Sequence, residues 1–180
     1  MKQNASRIAY HEAGHAVIGV CLGVPFEAVS MKEKRSKGVK LENGQRVPFY
    51  YFEGLIRSQE QHDIINGDVY AGKLDLRQAI VATAGPLAEM KFLGIADREA
   101  ILAFNFDTHG ISACCKFAVA PSGQIEKLPK SIMEEHVFQA LRLQTDMLLQ
   151  KKWMSIKAVA NELLKQKCLS YSEITKIIEG

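Results

Sequence analysis

Two histidines one helical turn apart, with a glutamate beside the first, constrain this chain more than any other feature: His11-Glu12-Ala13-Gly14-His15. Residues i and i+4 share a helix face, so two imidazoles at this spacing can reach one metal ion at roughly 2.0–2.1 Å. The glutamate of an H-E-x-x-H pattern stands where it can draw a proton from water at such an ion. Average residue usage yields the pattern in under about one in a hundred chains of this length. The spacing has meaning only on a helix, and the surrounding sequence predicts one. Between Asn4 and Leu22 there is no proline and apolar residues recur at Ile8, Val17, Ile18 and Leu22, before Gly23 and Pro25 supply stop signals. Ala13 and Gly14 leave room for a close neighbour. A buried helix that merely carries two histidines is the competing reading, and Glu12 and His15 are poor residues for a purely apolar face.

With 180 residues, nearly half of them apolar, the chain is long enough for one well-buried domain. Its net charge of +3 does not argue for nucleic acid, and the local cluster Lys32, Lys34, Arg35, Lys37 and Lys40 reads as a solvated loop. No apolar run approaches the roughly 20 residues that cross a bilayer, and no signal-peptide core precedes the first helix; a cytoplasmic protein without a membrane segment is expected. Cys21, Cys114, Cys115 and Cys168 form no C-x-x-C pair and imply no redox chemistry.

The expected fold is mainly α with a small antiparallel β insertion. Its boundaries are a metal-binding helix over 1–24, a small β region over 25–72, helices over 73–120 and C-terminal helices over 130–180, all within a single domain, 1–180. A strand is expected over Pro25–Met31, and Asn43-Gly44 favours a tight hairpin turn between strands at 39–42 and 45–47, the second ended by Pro48. Phe49-Tyr50-Tyr51-Phe52 reads as half-buried strand or core, with an exposed contact patch as the alternative. A helical pattern spans Lys73–Leu93, with a kink or a junction at Gly85-Pro86. Another helix is expected from near Asp107, then a loop bracketed by Pro121 and Pro129. Capping boxes at Ser131–Glu134 and Ser170–Glu173 predict helix starts. The first should run to about Lys151, with a separate helix over Trp153–Lys167.

A catalytic zinc site needs a third protein ligand and an open fourth position. No third histidine follows closely, so the ligand must be brought in by folding. By chemistry the candidates are His62, Asp75, Glu89, Asp97, Asp107 and His109. Glu89 is also a candidate for orienting a histidine from behind.

Ala9–Val17 resembles the zinc-binding helix of the FtsH-type metalloprotease domain. Further pieces follow in the same order. Ala82–Glu89 is similar to that family's L-x-G-R-A-A-E-E segment, Phe106-Asp107 to its N-D-L segment, and Ala160–Leu164 and Leu169–Ile174 to its closing A-x-x-L-L and L-S-x-x-E-I pieces. The resemblance implies a helical metalloprotease with one zinc ion held by His11, His15 and Asp107, and Glu12 as catalytic base. Departures are Pro86 for arginine, Met90 for an acid and Phe106 for asparagine, and no G-x-x-x-x-G-K-[ST] nucleotide loop occurs in the sequence.

The expected activity is ATP-independent hydrolysis of peptide bonds in flexible or unfolded polypeptides. An extended substrate could pair with a strand edge near Pro25–Met31. A homo-oligomer or a separate unfolding partner is compatible with the resemblance. The alternatives are a catalytically silent binding module on the same fold, and a regulatory protease specific for one cellular protein.

Overall fold

The computed structural model describes residues 2–35, 39–40, 46–47, 50–58, 76–95 and 130–180. Four helices carry most of them: α1 (Lys2–Leu22), α2 (Leu76–Leu93), α3 (Lys130–Gln166) and α4 (Tyr171–Glu179). The strands are β1 (Ala28–Arg35), β2 (Val39–Lys40), β3 (Arg46–Val47), β4 (Tyr50–Ile56) and β5 (Cys168–Ser170). The architecture is therefore mostly helical with a small antiparallel sheet, as the sequence predicts. No helix among the described residues is long and apolar enough to cross a membrane.

The first helix is the centre of the molecule. Every residue from Glu12 to Gly19 is buried, so this stretch of α1 is covered on all sides, with α2, α3, α4 and β1 packed against the helix. Its end is where glycine is expected. Gly23 has φ +65°, and the Gly23 N–H to Val20 and Val24 N–H to Gly19 carbonyl bonds (3.2 and 2.9 Å) make a Schellman cap. The turn aims Phe26 and Val29 back into the core beside Val17 and Ile18.

In the three-stranded sheet the order is β4-β1-β5. β1 thus lies in the middle, beginning three residues later than expected and running on to Arg35. With both sides occupied it offers no edge at Pro25–Met31, which corrects the expectation of substrate pairing there. Among the described strands the free edge near α1 belongs to β4. Ser30 pairs with Gly54 and Glu33 with Phe52, so β1 carries one extra residue, a bulge that redirects the ladder near Gly54.

The hairpin exists, but its register places Lys40 opposite Arg46 and Val39 opposite Val47. A two-residue turn at Asn43-Gly44 would have placed Lys40 opposite Val47; the pairing instead requires an odd-numbered connection. That connection lies outside the described residues, as do the expected helix near Asp107 and the loop between Pro121 and Pro129.

Two helical expectations need revision. The C-terminal pair is one helix, Lys130–Gln166, about 55 Å long. No glycine or proline interrupts it, and Leu149 and Ile156, one on each side of the expected break, are buried seven residues apart on one face. Of the kink or junction expected at Gly85-Pro86, the junction is absent: α2 runs unbroken from Leu76 to Leu93 with Gly85 and Pro86 buried inside it. Lys167, at φ +67°, turns the chain out of α3 and into β5, a three-residue strand too short to signal itself in the sequence.

Ser170 then caps α4 as expected. Its hydroxyl accepts the Glu173 N–H (3.3 Å), and the Glu173 carboxylate accepts the Ser170 N–H (2.8 Å) and hydroxyl (2.6 Å). These bonds, the hydroxyl's first, hold the Glu173 carboxyl below its ordinary range. A folded value lower than the unfolded one stabilises above the unfolded value, and that stability is lost as pH falls through the folded value. We expect Ser170→Ala to cost about 1 kcal/mol in urea unfolding at neutral pH. The deficit should shrink as the carboxylate is protonated; an undiminished deficit in acid would contradict the reciprocal box.

Candidate metal centre

Where α1 crosses α2, small residues bring the backbones together. A Cβ added at Gly14 would lie 2.6 Å from the Ala84 carbonyl oxygen and 2.7 Å from the Ala88 Cβ. One added at Gly85 would overlap the ring of His15. Ala84 is fully buried in this contact, and so is Ala13 beside Gly14 in the chain. Gly85 therefore provides the floor on which the His15 ring lies.

Both imidazoles are oriented from behind. His15 Nδ1 lies 2.7 Å from the Val81 carbonyl oxygen, and His11 Nδ1 lies 2.9 Å from Glu89 Oε2. Each acceptor oxygen requires a proton on the Nδ1 it faces, leaving the Nε2 lone pair of a neutral ring directed forward. The two Nε2 atoms are 3.1 Å apart. Two nitrogens at ~2.0–2.1 Å from a tetrahedral zinc ion are separated by about 3.3 Å, so the pair is spaced for a shared ion. Rings anchored through Nδ1 to a carboxylate and a carbonyl are also what metal-ligating histidines require. The donor chemistry thus fits zinc.

Glu12 is buried on the same helix, at 7% exposure, facing β4. Its Oε2 lies 3.2 Å from where a Cβ on Gly54 would stand, and Gly54 has φ +65°. A side chain there would crowd the carboxylate as well as strain the backbone. Gly54 and Gly85 are site residues that sequence reasoning missed, since neither belongs to a motif that names its contact.

Glu89 is the other acidic group at the centre. It stands behind His11, on the Nδ1 side, where it orients the ring, and not beside the Nε2 pair. Arg7 completes the arrangement, its Nε 2.7 Å from Glu89 Oε1. Arg7 also went unnoticed in the sequence, although it precedes His11 by one turn. Arg57, just after β4, joins the sheet to α2 through a 3.3 Å bond to Gln78. Among the described residues its Nε is buried without a hydrogen-bond partner, and burial lowers its pKa.

The described residues contain no group of three His, Cys, Asp or Glu side chains placed to hold a metal. Asp107, His62, Asp75, Asp97 and His109 lie outside the described residues. The structure thus brings together His11, His15, Glu12 and Glu89, and the third ligand remains with the resemblance.

No protein-family model matches the chain, and no curated protein matches it.

The floor beneath His15 can be tested directly. We expect Gly85→Ala to destabilise the protein by about 1–3 kcal/mol in urea unfolding, because the methyl must displace the ring or part the helices. The His15 ring resonances should move in NMR spectra. Wild-type stability together with unmoved resonances would contradict the packing described.

Proposed function

We propose that the chain is a zinc metallopeptidase that hydrolyses peptide bonds in flexible or unfolded polypeptides, on a fold of the FtsH protease type. The observation that carries this reading is the His11–His15 pair, with both Nδ1 atoms engaged from behind and the Nε2 atoms 3.1 Å apart. The adjacent buried Glu12 gives such a pair a use beyond holding a metal, because a structural site has no need of a base.

His11 and His15 would hold one zinc ion, and Asp107 is the third ligand by resemblance. Zinc supplies Lewis acidity when bound, making water more acidic and polarising a carbonyl. Glu12 takes a proton from the attacking water as the oxygen adds to the peptide carbon. It then returns that proton to the departing amine nitrogen as the C–N bond breaks. An extended substrate is best accommodated along β4, whose Gly54 borders the Glu12 carboxylate. We propose this hydrolysis as ATP-independent, since water activated by a metal and a carboxylate needs no nucleotide. A folded substrate would need a separate unfolding partner, and the cytoplasm is the proposed site of action.

We expect zinc-loaded wild type to cleave a fluorescently labelled unfolded protein. Glu12→Gln should retain zinc but lose about 10²–10⁴ in rate. Equal activity in both would contradict Glu12 as the base, and zinc-loaded silence in both would favour a non-enzymatic binding module. Asp107→Asn should weaken zinc binding by at least about tenfold in chelator competition while leaving the α1–α2 packing intact. Unchanged affinity would assign the third ligand elsewhere.

A further inference from the structure

The two histidines are aimed by different means. His15 Nδ1 bonds a backbone carbonyl inside α2, whose direction the helix itself fixes. His11 Nδ1 bonds a side chain, the Glu89 carboxylate, which could rotate about its terminal bond. Glu89 is nearly sealed from water, at 3% exposure, and its second oxygen lies 2.7 Å from Arg7 Nε. That approach is an ion pair off the hydrogen-bond direction, so its pull is Coulombic. Arg7 and His11 are one turn apart on α1 and therefore reach the same carboxylate from the same face. Arg7 is itself about half exposed, with its charge partly in water and its stem along the helix surface.

We propose that Arg7 is a positioning residue for the metal centre. By holding Glu89 Oε1, it stops the carboxylate from rotating, keeps Oε2 on His11 Nδ1 and so fixes where His11 Nε2 points. A buried carboxylate needs such a counter-charge, because a neutral imidazole donor alone leaves its charge largely uncompensated. Arg7 contacts neither metal nor substrate. This inference rests on the zinc reading above.

The test is zinc affinity, measured by competition with a chromophoric chelator on full-length protein, with each variant's fold checked by circular dichroism and unfolding midpoint. Arg7→Met keeps the stem and removes the charge; since Arg7 is half exposed, the variant should fold. We expect it to bind zinc about tenfold more weakly than wild type. Arg7→Lys retains the Coulombic pull and should bind more tightly than Arg7→Met. In a Glu89→Gln background the Arg7→Met change should have no further effect, because Arg7 acts only through that carboxylate. Wild-type affinity in Arg7→Met, a lysine variant as weak as the methionine one, or the same loss in both backgrounds would each overturn the proposal. Wild-type protein that holds no zinc would instead remove the zinc reading, and this inference with it.

Discussion

No Cβ fits at Gly14 or Gly85, where α1 crosses α2, and the candidate site depends on that exclusion. Gly14 faces Ala84 and Ala88, and the His15 ring occupies the space that a Cβ on Gly85 would need. Only at this separation can His15 reach the Val81 carbonyl and Glu89 reach His11. Overpacking such a contact by one methyl group forces the helices apart or the ring aside. The small residues are thus a geometric requirement of the imidazole pair, beyond their contribution to packing density.

Burial then dictates the partners of the rings. A buried polar atom must find a partner, and the partners available to the two Nδ1 atoms are both oxygens. Each oxygen calls for an N–H from the ring it faces, and the two Nε2 atoms lie within hydrogen-bond distance of one another, 3.1 Å apart. A proton shared between the two nitrogens satisfies that approach, and a metal ion in its place would be held by both. Under the zinc reading, the groups behind the rings would orient the ligands as much as the rings themselves. The same principle extends outward to Arg7, which offsets the charge of the carboxylate behind His11.

The parts legible in the sequence are those governed by local rules. His11, Glu12 and His15 announce a helix face by spacing, Gly23 marks the end of α1 by its φ, and Ser170–Glu173 writes out a capping box that the structure contains. The parts not legible depend on contacts distant in sequence. Nothing near Lys151 or Trp153 indicates that Leu149 and Ile156 bury the same face of one long helix. Pro86 looks like a junction until its burial within an unbroken α2 is seen. β1 reads as an available edge until β5, 133 residues beyond its own end, is found paired beside it. Glu89 was visible as a candidate with two possible roles, and the tertiary packing of α2 against α1 places it behind His11. Arg7 carried no motif, because an ion pair across 82 residues leaves no local pattern.

The central claim is that His11 and His15 converge on one metal ion. Zinc K-edge X-ray absorption on protein reconstituted with a single equivalent addresses it most directly, because the imidazole rings give a distinctive outer-shell scattering pattern. We expect one tightly held zinc with two imidazole nitrogens at about 2.0–2.1 Å and oxygen donors completing the shell. His15→Ala should remove one imidazole from the spectrum. Protein that retains no zinc, or a zinc environment unaltered by His15→Ala, would contradict it.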